Sequence, residues 1–350
     1  MIDTLIVKKQ GNKNWLEEAA RLLRENEVVA FPTETVYGLG GNALSKEAIS
    51  KIYKAKGRPS DNPLIVHIAE ISDLDVLVAE IPEVAKKLMD KFWPGPLTLI
   101  FKKSDKVPAQ VTGGLNTVAV RMPSHAVARE LIRLSGVPVA APSANISGKP
   151  SPTSFEHVIA DLSGRVAAIV CGDVSSVGLE STVVDISSKN PMILRPGGVT
   201  IEMLSKVVDN VSYDPAIINI SEKDNLIPMS PGMKYRHYSP SAPLIVINCK
   251  DKDFVLVLND LAKDLDFELS DIGVLCSKGA SLELSNYVVK NVGAYNDLDE
   301  VASNLFDALR YFDTTSVKII YAQGFPLVGI GQAIMNRLNK ASGGKAINIK

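Results

Sequence analysis

Short apolar runs alternate with amphipathic stretches along the first 200 residues of the chain. A helix is predicted over residues 14–26 and is followed by the apolar run Val28 to Phe31, which ends at Pro32. Further helical patterns lie near 45–55, 82–92, 125–135 and 200–208, and further strands are predicted at 64–68, 97–101, 118–122, 137–141, 166–170, 181–186 and 192–194. Because this spacing is not a strict βαβ repeat, we expect residues 1–210 to form an α/β (α+β) domain with a twisted mixed sheet.

A second pattern begins after residue 242. Strands are predicted at 244–247, 272–276, 287–292 and 318–322, with helices near 253–265, 297–312 and 327–340. This alternation predicts a smaller, Rossmann-like parallel α/β domain over residues 243–350. Between the two patterns, repeated prolines interrupt the polar residues 211–242, which are therefore interpreted as a linker. Its centre, 231–240, is cationic and aromatic, and we expect it to dock as a lid over a site.

Composition restricts the classes of protein that need to be considered. The chain has 350 residues, 46% of them apolar, so it can bury a core and is long enough for two domains. Its formal net charge of −1 argues against a dedicated nucleic-acid binder. Three scattered cysteines indicate neither a disulfide scaffold nor a zinc site. Neither a signal sequence nor a membrane-spanning run is recognised, so we predict a cytoplasmic protein without membrane contact.

Three segments place polar side chains at positions i and i+2 beside a proline. Lys56 and Arg58 precede Pro59, while Thr33 with Thr35 and Ser143 with Asn145 follow prolines. Extended backbone points residues i and i+2 in the same direction, so each pair is expected to form a polar fork. Two cations on one fork suit a phosphate, which favours an enzyme acting on a small anionic substrate.

Each of these features also has a plain structural interpretation. Lys56 and Arg58 could be a solvated helix end, and Ser143 with Asn145 an ordinary turn. His67 lies within an apolar run and could be a satisfied core residue. Arg121 ends another apolar run, where it could be a surface cation or a bidentate clamp for a carboxylate. The glycine clusters at 38–41 and 329–331 complete no nucleotide-binding motif, so turn or packing roles are expected for them.

Taken in order along the chain, the motifs resemble the YrdC-type threonylcarbamoyl-AMP synthases. The linker centre at 231–240 and the segment 331–338 are similar to the linker and C-terminal domain of the long, two-domain form of that family. The motifs that carry the resemblance in the first domain are Pro32 to Leu39, Lys56 to Pro59 with Asn62 to Leu64, Trp93 to Thr98, Arg121 to Pro123, and Pro142 to Asn145.

The resemblance implies an activity and a set of site residues. Members condense L-threonine, bicarbonate or CO₂, and ATP into L-threonylcarbamoyladenylate and pyrophosphate. This is the first step of N6-threonylcarbamoyladenosine formation in tRNA, which a separate threonylcarbamoyl transferase complex completes. By resemblance, threonine would be held by Thr33, Thr35, His67, Arg121, Ala141 and Ser181. ATP would be held by Lys56, Arg58, Asn62, Thr117, Ser143, Asn145, Ser151, Arg195, Lys234, Tyr235 and His237, with Lys56 and Arg58 also catalytic.

The chemistry of the residues supports this interpretation. Bringing an anionic carbamate to the α-phosphorus of ATP demands concentrated positive charge, so catalysis by positioning and electrostatics is expected, without a permanent cofactor. No H-x-x-x-H motif or carboxylate cluster is present in the sequence, and we expect Mg²⁺ to arrive with the ATP phosphates. Two alternatives stay open, a carbamoyl transferase that uses carbamoyl phosphate and an RNA-binding module; any tRNA contact of an enzyme would be weak and local.

Overall fold

The computed structural model describes residues 2–9, 11, 15–60, 62–188, 190–218 and 237–349. The chain divides into two compact units, one formed by Met1–Ser147 with Ser151–Tyr235 and the other by Gly148–Pro150 with Arg236–Lys350. Much of the predicted linker, including Lys234 and Tyr235, lies outside the described residues. The predicted division at 210 and 242, with a lid between, therefore stays a prediction.

The first unit contains a mixed sheet surrounded by helices. In the described residues the strand order is β1-β8-β2-β3-β7-β4-β6-β5-β9-β10-β11, with both parallel and antiparallel neighbours. The strands are β1 (Leu5–Val7), β2 (Val29–Phe31), β3 (Gly38–Asn42), β4 (Ile65–His67), β5 (Leu97–Lys102), β6 (Thr117–Arg121), β7 (Val139–Ala140), β8 (Ala168–Val170), β9 (Thr182–Asp185), β10 (Met192–Arg195) and β11 (Ser212–Tyr213). The helices are α1 (Glu17–Arg24), α2 (Lys46–Lys56), α3 (Glu83–Phe92), α4 (Ala109–Thr112), α5 (Ala126–Ser135), α6 (Phe155–Leu162), α7 (Ile201–Leu204) and α8 (Pro215–Ile218), with a 3-10 helix at Ile71–Val76.

The core of the first unit lies on both faces of this sheet. Val29 and Phe31 belong to one apolar cluster, whereas Ala30 between them belongs to another. Since successive strand residues point to opposite faces, the two clusters cover the two sides of the sheet. Polar residues that lie within the sheet are therefore buried, and their partners have to come from the protein or from a ligand.

The second unit is a parallel α/β structure. Its described strands have the order β14-β13-β15-β12-β16, and every pair is parallel. The strands are β12 (Leu244–Asn248), β13 (Ile272–Cys276), β14 (Val288–Asn291), β15 (Ile319–Gln323) and β16 (Ala346–Asn348). The helices are α9 (Phe254–Lys263), α10 (Lys278–Ser281), α11 (Leu298–Phe312) and α12 (Gly331–Ala341), with 3-10 helices at Asp251–Asp253 and Leu269–Asp271. The predicted fold class is thus confirmed for both patterns.

Lys56 and Arg58 lie at the end of the helical run that begins near Ser45, as expected, but the extended backbone expected for this pair is wrong at Lys56. Ser45 caps α2 by accepting a hydrogen bond from the Ala48 N–H, and the helix includes Lys56 as its last residue. Gly57 then takes a left-handed conformation with φ of 62° and ends the helix. The C-terminal turn of a helix, and not an extended strand, therefore presents Lys56.

Strand β3 was not predicted, because it is rich in glycine, a residue that is rare in strands. A Cβ atom on Gly40 would lie 2.6 Å from Phe31 Cε1 and 2.7 Å from Val139 Cγ1. Glycine here lets two neighbouring strands approach each other closely, which agrees with the packing role expected for this cluster. Helix α6 and the short strands β1, β11 and β16 were also missed.

Two absences concern only the described part of the chain. None of its helices has the length and apolar character needed to cross a bilayer. It also contains no group of three or more His, Cys, Asp or Glu side chains placed to hold a metal ion.

Candidate active site

Lys56 is joined to the loop that follows β7. It is only 3% exposed, and its Nζ donates to the carbonyl oxygens of Ser143 and Asn145, the second at 2.7 Å. The Asn145 side chain is also within reach, at 3.3 Å from Nζ to Oδ1, and the Ser143 hydroxyl donates to the same Oδ1. Lys56 is thus bonded to two other predicted ATP-binding residues, which lie 87 and 89 positions later in the sequence.

The other predicted ATP-binding residues of the first unit differ in exposure. Arg58 and Thr117 are half-buried, whereas Asn62 and Ser151 are fully buried. Both side-chain polar atoms of Asn62 have no partner among the described residues, which is unusual for a buried amide. The Ser151 hydroxyl donates to the carboxylate of Glu180.

His67, Arg121 and Thr98 form a row across three neighbouring strands. His67 in β4 lies opposite Arg121 in β6, and Arg121 lies opposite Thr98 in β5. Residues directly opposite in a ladder present their side chains to the same face of the sheet. The sequence therefore places a histidine, a guanidinium and a hydroxyl side by side, and each is less than 5% exposed.

The guanidinium of Arg121 is held by the loop after β2 and by the segment before β5. Its Nη1 donates to Thr35 Oγ1 at 2.8 Å and its Nε to the Gly95 carbonyl at 3.2 Å. Nη2 lies 2.6 Å from Oε1 of the buried Glu34, which also accepts a hydrogen bond from the Ser124 N–H. Arg121 is therefore a buried, paired cation, and its interpretation as a surface residue is wrong.

The Thr33 side chain stabilises the turn of this loop. Its Oγ1 donates to the Val36 carbonyl and accepts from the N–H groups of Thr35 and Val36, and it lies 2.9 Å from Thr35 Oγ1. These contacts form a local side-chain turn motif. Thr33 thus orders the loop that presents Thr35, and its contribution to binding would be indirect.

Ser181 and Arg195 meet at the start of β9. Arg195 donates from Nε to the Ser181 carbonyl and from Nη2 to Ser181 Oγ, the second at 3.1 Å. The hydroxyl of Thr98 lies 2.7 Å from the same Oγ. Ser181 connects Arg195, assigned to ATP, with the row that contains Arg121, assigned to threonine. Ala141, also assigned to threonine, is buried and bonds to Ile65 through its backbone N–H.

Two pKa shifts describe the charges of this site. Burial, together with the nearby Arg121 charge, lowers the pKa of His67 to about 3, so its imidazole is neutral at pH 7. Burial acts to raise the pKa of Glu34, but the charge of Arg121 and the Ser124 N–H outweigh it, and that pKa lies below its usual value. Glu34 is therefore an ionised carboxylate beside an ionised guanidinium.

The His67 shift predicts a pH dependence of stability. A histidine protonated near pH 6.5 in the unfolded chain, but only near pH 3 in the fold, favours unfolding as the pH falls below 6.5. Between pH 6.5 and 5 this group should remove roughly 2 kcal/mol of unfolding free energy. Urea unfolding at pH 6.5 and at pH 5 should show this loss of unfolding free energy in the wild type but not in His67→Phe. An equal loss in both proteins would contradict the prediction.

The predicted lid residues cannot be located in this site. Lys234 and Tyr235 lie outside the described residues, and His237, which is half-buried, belongs to the second unit. Next to it, the buried Tyr238 has φ of 65° and packs on Phe306, and the guanidinium of the buried Arg337 lies 5.9 Å from the Tyr238 ring. The start of the second unit is thus fixed by its own aromatic contacts.

Three residues of the site were missed in the sequence, namely Glu34, Thr98 and Glu180. Glu34 lies between Thr33 and Thr35. In an extended strand successive side chains point in opposite directions, so the Glu34 side chain was expected to point away from the two threonines. Thr98 is the one hydroxyl residue in the apolar run at 97–101, and Glu180 immediately precedes Ser181. A polar residue inside an apolar run was the available signal for Thr98.

The first unit thus contains three buried cations, Lys56, Arg121 and Arg195, an arrangement suited to an enzyme that acts on small anions. Residues 21–197 match the family described as Telomere recombination, which comprises the Sua5, YciO and YrdC proteins. Residues 199–343 match the domain described as Threonylcarbamoyl-AMP synthase, C-terminal domain. The chain therefore belongs to the threonylcarbamoyl-AMP synthase family of enzymes, in the two-domain form.

Individual relatives agree with this assignment over nearly the whole chain. The threonylcarbamoyl-AMP synthase of Bacillus subtilis is 51% identical over 96% of this chain and 95% of its own. That of Pyrococcus abyssi is 48% identical over 99% of this chain and 100% of its own. The crystal structure of P. abyssi Sua5 complexed with L-threonine superposes with a TM-score of 0.90, at 45% identity and 99% coverage of both chains.

Proposed function

We propose that this enzyme converts L-threonine, bicarbonate or CO₂, and ATP into L-threonylcarbamoyladenylate and pyrophosphate. The observation that carries the proposal is a connected row of residues. Arg121 lies opposite Thr98 in the strand ladder, and hydrogen bonds join Thr98 to Ser181 and Ser181 to Arg195. The row connects a site suited to an amino acid with cations suited to phosphates. The product would serve in the cytoplasm as the donor for N6-threonylcarbamoyladenosine formation in tRNA, through a separate threonylcarbamoyl transferase complex.

Threonine would bind with its carboxylate on Arg121. The guanidinium is already oriented by Thr35, Gly95 and Glu34, so little side-chain entropy is lost when a carboxylate arrives. Neutral His67 and the Ser181 hydroxyl would supply further contacts on the same face. The relative from P. abyssi, whose structure contains L-threonine, supports this choice of substrate.

The ATP phosphates would bind near Lys56, Arg58 and Arg195, with Ser143 and Asn145 beside them. The carbonyl contacts of Lys56 hold its charge in a fixed, dry position, where it is worth more than in water. Since the carbamate and the phosphates are both anionic, these cations would bring them together and stabilise the transition state. Mg²⁺ would be carried by the ATP phosphates and supply further positive charge.

The segment 211–242 would act as a lid over the nucleotide, through Lys234, Tyr235 and His237. Its cationic and aromatic composition supports this role, because a phosphate and a base are the partners such side chains prefer. Excluding water would protect a labile carbamate from loss of CO₂.

Pyrophosphate release from ATP tests the proposed function. Purified full-length protein with Mg²⁺ and bicarbonate should release pyrophosphate with L-threonine, and much less with L-serine, L-valine or no amino acid. Release that does not depend on threonine would reject the proposal. Consumption of carbamoyl phosphate in its place would establish the carbamoyl-transferase alternative.

Thr98→Val is expected to weaken the use of threonine without abolishing it. The substitution keeps the shape of the buried side chain but removes the hydroxyl that bonds to Ser181. One such hydrogen bond contributes about 1 kcal/mol, so kcat/KM for threonine should fall about fivefold. Thr98→Ser, which keeps the hydroxyl, is the control, and an equal loss in both variants would show that packing, not the hydrogen bond, matters.

A further inference from the structure

The threonine side of the site contains buried polar atoms that no described residue satisfies. These are Oε2 of Glu34, Nη2 of Arg121 and Nδ1 of His67. Nη2 is close enough to Glu34 Oε1 for an ion pair, but its N–H directions leave it without a hydrogen bond. The three residues are 6%, 3% and 4% exposed. An unpaired donor on Arg121 and an unpaired acceptor on Glu34 at such burial indicate a ligand that offers both kinds of group.

The charges in this region specify the ligand further. Arg121 contributes one positive charge and Glu34 one negative charge, while His67 is neutral. The pKa of His125 is lowered by burial, although the negative charges of Glu34 and Asp173 oppose this effect. The charges of Arg121 and Glu34 therefore cancel each other. A ligand that carries only a negative charge would place that charge near the buried negative charge of Glu34. A zwitterion matches both members of the pair.

We infer that Glu34 is a substrate-binding residue, which receives the α-ammonium group of the amino acid on Oε2 while its Oε1 holds Arg121 for the carboxylate. The inference deepens the proposed function and rests on it. The geometry agrees, because the ammonium and carboxylate groups of an α-amino acid are attached to the same carbon. Oε2 and Nη2 are near each other as well, since Nη2 lies 2.6 Å from the other oxygen of the same carboxylate. Glu34 would thereby select amino acids over hydroxy acids.

Calorimetric titration with two ligands tests this inference. L-Threonine carries both charges, whereas 2,3-dihydroxybutanoate of matching stereochemistry has a hydroxyl in place of the ammonium. The wild type should bind L-threonine at least about tenfold more tightly than this analogue. Glu34→Gln, which keeps the shape of the side chain, should weaken L-threonine at least about tenfold and leave the analogue unchanged or tighter.

Each outcome of this experiment has a defined meaning. If Glu34→Gln weakens both ligands equally, Glu34 only positions Arg121, and the inference is overturned. It is also overturned if the variant binds L-threonine as the wild type does. The comparison of the two ligands on the wild type needs no variant, so it holds even if Glu34→Gln fails to fold, and equal affinities would reject the inference. Failure of the wild type to bind L-threonine at all would reject the proposed function itself.

Discussion

Lys56→Met is expected to lower kcat/KM for ATP at least about 100-fold, as is typical when a preorganised charge is removed from a transition state. The ammonium group is buried and held by the carbonyl oxygens of Ser143 and Asn145, so water cannot replace it easily. Methionine keeps much of the apolar stem but carries no charge. Pyrophosphate release at saturating threonine, measured over a range of ATP concentrations, gives the effect directly.

The same substitution should also destabilise the first unit. Two carbonyl oxygens would lose a charged donor, at a cost of about 1–3 kcal/mol for each that stays unsatisfied. Lys54→Met, two residues earlier on α2 and exposed, is the matched control and should change neither activity nor stability appreciably. Near wild-type activity of Lys56→Met would show that the buried ammonium only holds the loop after β7.

The sequence predicted the helices and strands that have a regular apolar pattern. It missed elements whose residues are explained only by contacts with other parts of the folded chain. The apolar run at 97–101 became β5, and the pattern at 297–312 became α11. Strand β3 was missed because Gly40 leaves room for Phe31 and Val139, and only the folded sheet brings these side chains near. The missed strands β1 and β11 have three and two residues, too few for a period to be recognised.

The candidate site shows a similar limit. Motifs identified Lys56, Arg121, Ser143 and Asn145, and the structure joins them to their neighbours by hydrogen bonds. Glu34 was missed because the alternation rule applies to extended backbone, whereas Thr33 folds this segment into a turn. A local pattern cannot show that a carboxylate will meet an arginine 87 positions later, since that contact depends on how β6 is placed in the sheet.

Because Arg121 is paired with Glu34, removing Arg121 is expected to have two separate effects, one on threonine binding and one on stability. Arg121→Met should abolish measurable threonine binding, because the carboxylate loses its cation. It should also lower the unfolding free energy by about 3–5 kcal/mol, because the buried Glu34 carboxylate loses its oppositely charged partner. Calorimetry with L-threonine and urea unfolding at pH 7 measure the two effects separately.

The pH dependence separates lost charge pairing from lost packing. In the wild type the pKa of Glu34 is lowered, so its contribution to stability is present at neutral pH and lost as the pH falls through that value. Without the charge of Arg121, the effect of burial on Glu34 is opposed only by backbone N–H groups, chiefly that of Ser124. The pKa of Glu34 therefore rises, and protonation at lower pH removes the unpaired buried charge of the variant. The stability deficit of Arg121→Met should therefore shrink between pH 7 and 5. The double variant Arg121→Met/Glu34→Gln should regain most of the stability at pH 7 and still fail to bind threonine. If the double variant is as unstable as the single one, the deficit comes from packing around the guanidinium, and the charge pair is not its cause.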